Sequence, residues 1–165
     1  KLLDLPYPGG PVLDRLAQEG NPEAVKFPRG QLKGYDFSFS GLKTAVRNHI
    51  VLFKSRDAGF DPKLNIKDVA ASFQAAVVDT LVGKTIQAAM ATGVRKIVVA
   101  GGVATNSSLR KNMKQAAEEK GITLYLPSMD YCIDNAAMIA LAGYLHFQRG
   151  ERSALDLNPR ASMPL

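Results

Sequence analysis

Lys96-Ile97-Val98-Val99-Ala100-Gly101-Gly102-Val103-Ala104-Thr105-Asn106 decides the fold class. The compact β-branched run reads as a buried strand, the glycine pair breaks it, and the polar stretch from Asn106 to Lys120, closed by Gly121, reads as a helix. Ile122-Thr123-Leu124-Tyr125-Leu126 is a second short strand, Pro127 ends it, and Asp134 opens a last helix through Ala137, Leu141, Tyr144 and Leu145 to Gly150. Strands of this apolar kind, joined by a helix of about a dozen residues, predict parallel pairing with right-handed crossovers and burial on both faces. The class is therefore α/β. A sheet normally has about five or six strands, so two or three need partner strands from another chain or from the rest of a larger protein. The start at Lys1-Leu2-Leu3, helical residues without a cap, fits the larger protein.

Upstream, Lys67 to Ala91 predicts one long helix with Val69, Ala70, Phe73, Ala76, Val77, Leu81 and Ile86 along a stripe and Gly93 at its C-terminal stop. Tyr35-Asp36-Phe37-Ser38-Phe39-Ser40 alternates aromatic with polar, the period of a strand buried on one face, and a helix from Gly41 to Phe53 should follow. The first 35 or so residues are punctuated by Pro and Gly. They predict turns around one short helix, with Pro11 in its first turn and Gly20 at its stop. The chain divides into a mainly helical part, 1–95, and a β-α-β-α part, 96–165.

The 165 residues, 46% hydrophobic and 22% charged, suffice for one domain with a sizeable core, and exclude a disordered, collagenous or disulfide-built chain. The longest apolar runs, such as Ile139-Ala140-Leu141-Ala142, fall short of the about 20 residues of a membrane span, so no membrane association is expected. Lys1-Leu2-Leu3-Asp4 has no leader pattern and Cys132 is the only cysteine, which fits a reducing cytoplasm. A formal charge of +6 favours polyanions such as RNA or nucleotides. The excess reads as scattered (Lys26, Arg29, Lys33, Lys43, Arg47, Arg110, Lys111, Lys114), the ordinary pattern of solvated surface.

Three constellations carry chemistry. Gly101-Gly102 after a strand lets backbone approach a ligand without Cβ interference, and the N–H groups of the following helix attract phosphate or polar nucleotide edges. Asn106 is either a plain helix cap, in competition with Ser107 and Ser108, or a ligand-binding amide as well. Asp134 lies on the same carboxyl-end rim as the glycine pair, where open α/β sheets bind ligands; it is either a metal-ligating carboxylate or an N-cap. In Tyr7-Pro8-Gly9-Gly10-Pro11-Val12-Leu13-Asp14 the glycines permit close approach and Asp14 can take a sugar hydroxyl, or the segment is a proline-rich turn.

Other features carry less. Val82-Gly83-Lys84-Thr85 imitates the end of a phosphate-binding loop, but Val78 stands where the first glycine is required and the segment is helical. His49 and His146 form no metal pair and read as helix-surface residues, and Cys132 as a buried inert thiol. Phe37, Phe39 and Phe73 read as core rather than an RNA stacking platform, although Ser38, Ser40 and Lys43 can line a basic groove.

Four motifs in order, Leu5-Pro6-Tyr7-Pro8-Gly9-Gly10-Pro11, Tyr35-Asp36-Phe37-Ser38-Phe39-Ser40-Gly41-Leu42-Lys43-Thr44, Val99-Ala100-Gly101-Gly102-Val103-Ala104-Thr105-Asn106 and Tyr131-Cys132-Ile133-Asp134-Asn135-Ala136-Ala137-Met138-Ile139-Ala140, resemble one family. It is that of the TsaD/Kae/Gcp proteins, the catalytic subunit of tRNA adenosine N6-threonylcarbamoyltransferase, formerly labelled O-sialoglycoprotein endopeptidase. The resemblance implies a two-lobed actin/hexokinase-like (ASKHA, RNase H-like) ATPase fold, with this chain as most of the C-terminal lobe and its helical insertion. It implies that Gly101 and Gly102 match the adenosine loop, that Gly10, Asp14 and Asn106 match positions contacting the adenylate, and that Asp134 matches the acidic ligand of Fe2+ or Zn2+. The family's other two metal ligands, an H-x-x-x-H pair, and its phosphate loop belong to the N-terminal lobe. Ala136-Ala137 replaces the commoner Gly-Ala.

The implied reaction transfers the threonylcarbamoyl group from threonylcarbamoyl-AMP, with ATP as the related nucleotide ligand, to N6 of the tRNA adenosine beside the anticodon. Implied partners are tRNA, TsaB-like and TsaE-like subunits and the missing N-terminal lobe. No catalytic residue is assigned. A metalloprotease activity is disfavoured, since it needs a metal-activated water and a base where one metal ligand is present. A non-catalytic assembly lobe is the other alternative. The chain alone is expected neither to retain metal nor to modify tRNA.

Overall fold

A computed structural model describes residues 2–30, 32–54 and 65–159; Lys1, part of the uncapped start, lies outside them. In chain order the described elements are α1 (Gly9–Gln18), α2 (Ser40–Lys54), α3 (Ile66–Thr92), β1 (Lys96–Val98), α4 (Ser107–Glu119), β2 (Thr123–Tyr125) and α5 (Ala136–Gln148). Short 3-10 turns occupy Gly102–Thr105 and Met129–Tyr131.

Helix α3 is the spine. Asn65 caps it, its side chain accepting from Lys67 N at 3.0 Å, with Asp68 favourable to the dipole in the first turn. Gly93 ends it at φ +73°, a left-handed stop that glycine takes without Cβ cost. Its apolar residues do not form the single stripe the periodicity predicts, because neighbours pack on several of its sides. Ala70 and Ala71 meet Ala17 of α1; Val69 and Ala76 meet Phe27 and Leu42, Val46 and Ile50 of α2; Val78, Ile86 and Ala89 meet Ile97 of β1 and Leu109, Met113 and Ala117 of α4. The small alanines permit close approach of α1. At 27 residues, about 40 Å, α3 is long and apolar enough to cross a membrane. That departs from the expectation of no such segment, yet here these helices surround it and Asp79 on it holds Arg29 at 2.8 Å.

Strands β1 and β2 pair in parallel, Lys96 with Thr123, Ile97 with Leu124 and Val98 with Tyr125. The expected burial on both faces is not found. α3 and α4 cover the side of buried Ile97, whereas Val98 is 70% exposed. The mainly helical and β-α-β-α parts share a core through the C-terminal half of α3.

Residues 35–40 form no strand, contrary to the aromatic–polar alternation. Among the described residues no partner strand lies beside them to take their backbone groups, and Gly30 instead presses so closely on the Ser38 carbonyl that any Cβ there would collide with it. Phe37 stacks on Phe39, ring centroids 6.4 Å apart and nearly parallel at 7°. Phe39 and Phe73 pack against the α2–α3 cluster as expected, but Phe37 stays exposed and is not core. α1 begins two residues before Pro11, which still falls within its first turn, and Gly20 follows its end.

Candidate nucleotide site

The glycine loop leaves the carboxyl end of β1. Val99 N still donates to Tyr125 O at 3.1 Å; Gly101 then takes φ +93°, a conformation other residues adopt only under strain. One 3-10 turn follows, closed by Ala104 N donating to Gly101 O at 2.9 Å and by the Thr105 hydroxyl on Gly102 O at 2.7 Å. A Cβ on Gly101 would meet nothing within 4 Å, and one on Gly102 only Ile133 Cγ2 at 3.9 Å. The loop is thus open to a ligand, and its second glycine lies against the residue preceding Asp134.

Asn106, not Ser107 or Ser108, is the cap of α4: its Oδ1 accepts from Leu109 N at 2.9 Å. Its Nδ2 donates to Asp14 Oδ1 at 3.1 Å and to Gln74 Oε1 at 2.7 Å, so both amide hydrogens are used. Asp14 also accepts from Ser107 N at 3.1 Å on Oδ2 and from Ser107 Oγ at 2.8 Å on Oδ1. A carboxylate offers about four acceptor positions. Three are filled, and the one left, on Oδ2, can take a further donor such as a sugar hydroxyl. Gly10, one turn before Asp14 on the same face of α1, is exposed and has open space where a Cβ would stand. The structure thus joins Asp14 and Asn106, distant in sequence, at the N-terminus of α4.

Two residues of this arrangement escaped the sequence reading. Gln74, only 7% exposed, is a polar residue within an apolar helix, and that contrast was its one signal. Arg110 looked like scattered surface charge. It donates from Nη1 to Ala104 O and from Nη2 to Pro127 O, both at 3.0 Å, tying the glycine loop to the segment that leads into Asp134. Its place one turn after Asn106, on the loop side of α4, was the available clue.

Asp134 does not cap α5. Asn135 does, accepting from Met138 N at 3.0 Å, and the helix begins at Ala136 rather than at 134. An amide one residue nearer the helix reaches the N3 position that the carboxylate would have had to span. Asp134 is exposed, has no hydrogen bond of its own among the described residues, and borders an open hollow with Asn135 and Met138. Both its oxygens can therefore ligate a cation. No group of three His, Cys, Asp or Glu side chains gathers among the described residues, so a metal set there would need donors from outside them.

Cys132 is buried, its Sγ 3.7 Å from Arg110 Nη1. His146 is a surface residue paired with Glu151 at 2.5 Å. His49, against expectation, is half-buried edge-on to Phe27, centroids 5.6 Å apart, and burial lowers its pKa. Val82 to Thr85 lie inside α3, which rules out a phosphate-binding loop there.

Parallel strands, a glycine turn opening onto a capped helix and Ile133 packed against that turn define an α/β chain with a candidate ligand rim at its strand ends. Comparison with known proteins narrows the class. Residues 1–141 match the family model TsaD, tRNA N6-adenosine threonylcarbamoyltransferase. Proteins named tRNA N6-adenosine threonylcarbamoyltransferase from Geotalea uraniireducens and Syntrophotalea carbinolica are 49% and 50% identical over the whole of this chain and 48% of their own length. One from Caldicellulosiruptor saccharolyticus is 46% identical over 96% of this chain and 46% of its own length. The chain belongs to the TsaD family and spans about half the length of these relatives.

Proposed function

We propose that this chain is the C-terminal half of a tRNA-modifying transferase of two-lobed ASKHA type, carrying the threonylcarbamoyl group from its adenylate to N6 of the adenosine beside the anticodon. The observation that carries the reading is the Asp14–Asn106 contact at the start of α4, four residues past the open Gly101-Gly102 loop against which Ile133, the neighbour of Asp134, lies, in a chain about half identical to proteins of that name.

The chain's residues act by positioning. Gly101 and Gly102 let backbone approach the adenosine, Asp14 Oδ2 accepts a ribose hydroxyl in its remaining acceptor position, and Gly10 keeps the face above it clear. Asn106, itself held by Gln74 Oε1, keeps that carboxylate in place rather than spending its amide hydrogens on the ligand. An exocyclic adenine amine is a weak nucleophile, so orientation and stabilisation of charge on the carbonyl and the leaving AMP count for more than base catalysis. Asp134 would give one oxygen ligand to an iron or zinc ion whose other ligands come from the relatives' remaining half. Such an ion, when bound, supplies carbonyl polarisation and phosphate charge neutralisation.

The same remaining half is the occupant we assign to α5. None of its residues is buried, and Ile139, Leu141 and Phe147 are each more than 60% exposed. TsaB-like and TsaE-like subunits and tRNA complete the assembly, in the cytoplasm. ATP is the alternative nucleotide for the same loop. Peptide hydrolysis is the weaker reading, because it needs a metal-activated water and a base, and no group of three His, Cys, Asp or Glu side chains gathers among the described residues.

The test is a chimera. This chain replaces the matching residues of the Geotalea uraniireducens protein, and the modified nucleoside in tRNA is quantified by mass after reaction with threonylcarbamoyl-adenylate and partner subunits. The chimera is expected to transfer, its Asp134→Ala and Asp14→Ala variants to lose transfer by at least about a hundredfold, and the isolated chain to do nothing. A folded chimera without transfer, or turnover by the chain alone, overturns the proposal.

A further inference from the structure

The charge is less scattered than the sequence at first indicates. Residues 24–56 contain seven Lys and Arg against the single Asp36, and the remainder of the chain balances at fourteen and fourteen, so this one segment carries the entire surplus of six. Within it, Arg29 is neutralised by Asp79. Lys43 and Arg47 lie one turn apart on α2, exposed and without an acidic partner among the described residues. Lys43 N bonds Phe39 O at 2.9 Å, which seats the Phe37–Phe39 stack directly ahead of the Lys43–Arg47 stripe. Phe37 is 44% exposed although it has an aromatic partner on one side.

We infer that this surface is where RNA docks: Lys43 and Arg47 against phosphates, the open side of Phe37 against a base. The inference rests on the transferase reading for the identity of the RNA, a tRNA. An acidic protein surface would also seek the two cations, but it has no use for a paired aromatic with an open face. Base stacking uses that face, and unpaired cations one helical turn apart suit a phosphate backbone.

Fluorescence anisotropy of labelled tRNA titrated with the 165-residue chain at stepped salt tests this. Lys43→Ala/Arg47→Ala is expected to weaken binding at least about tenfold and to lower the slope of log affinity against log salt by about 2, one for each phosphate no longer neutralised. Phe37→Ala should weaken binding at least about fivefold with the slope unchanged, and Phe37→Trp should restore it. Lys111→Ala/Lys120→Ala removes the same charge elsewhere and should leave the slope within about half a unit of wild type. Equal slopes for both double variants, or polyglutamate competing as well as RNA with Phe37→Ala silent, overturns the inference. These readouts are independent of transfer. A chimera that transfers with patch variants silent sinks the patch alone; patch-dependent RNA binding with an inactive chimera sinks the transferase reading alone.

Discussion

Replacing Asn106 with alanine tests the hub of the candidate site, because one side chain there makes three bonds to three elements. Its Oδ1 caps α4 at Leu109 N, and its Nδ2 reaches Gln74 and Asp14. Loss of an Asn cap costs about 1 kcal/mol. Gln74 Oε1, on a side chain only 7% exposed, would lose its one partner among the described residues at a cost of about 1–3 kcal/mol, while Asp14 keeps both bonds from Ser107 and adds little. The total is about 2–4 kcal/mol, a fall in Tm of roughly 5–15 °C for a chain of this size. Calorimetry of wild type, Asn106→Ala and Asn106→Ser reads it. Serine keeps an acceptor for Leu109 N but its single, shorter hydroxyl does not replace the Nδ2 that reaches Gln74, so it should recover about 1 kcal/mol of the loss. Gln74→Leu in the Asn106→Ala background removes the orphaned acceptor and should recover a further part. A Tm for Asn106→Ala within about 2 °C of wild type, or serine no better than alanine, would refute the reasoning.

Five further substitutions test single positions. Gly83 is exposed inside α3 with free space at its Cβ position, so Gly83→Ala should raise stability by about 0.5–1 kcal/mol in urea unfolding, whereas Gly20→Ala drives a Cβ into the Lys67 carbonyl and should cost about 3 kcal/mol. Asp134→Ala should leave Tm unchanged while Asn135→Ala loses about 1 kcal/mol, because only Asn135 caps α5; equal effects would count against the assignment. Burial lowers the pKa of His49 below its ordinary 6.5, so the unfolded chain binds that proton more readily. Its contribution is present above pH 6.5 and lost as pH falls through that value toward the folded pKa; His49→Gln should flatten this limb of the stability–pH curve.

What the sequence made legible was local. The strand-glycine-helix unit at 96–120 declares itself through β-branching, a glycine pair and an Asn cap, all within hydrogen-bonding reach along the chain. The rim of the candidate site was legible too, since strand ends in an α/β order define it. Gln74 and Arg110 were not, because their roles exist only across elements: Gln74 matters since α1 and α4 converge on α3 at that height, and Arg110 since its two nitrogens bridge two loops. Tyr35 to Ser40 misled for a related reason. Alternation records which side of a segment is apolar, and a strand also needs a neighbour for its backbone, which no stretch of sequence nearby supplies.

The uncovered sheet and α5 bear on the chemistry as well as on the architecture. A 13-residue helix is marginal alone, and with no buried residue α5 is held, among the described residues, by its own intrahelical bonds, the Asn135 cap and the contacts of its last turn with residues 149–152, including His146 with Glu151 and Arg152 on the Phe147 carbonyl. Asp134 stands two residues before it. The opposite side of the candidate site is anchored differently: Asp14 and Asn106 are locked between α1, α3 and α4, and Arg110 carries that rigidity to Pro127 and to the Cys132 sulfur, two residues short of Asp134. Between Pro127 and α5 the chain is held by the buried Cys132 and one 3-10 turn. On the proposed reading the side of the candidate site at Asp14 and Asn106 is set by this chain's own core, and covering α5 would further fix the segment that carries Asp134. The proposed remaining half, by burying Ile139, Leu141 and Phe147, would then complete the candidate site twice over, by the ligands assigned to it and by the helix it would fix.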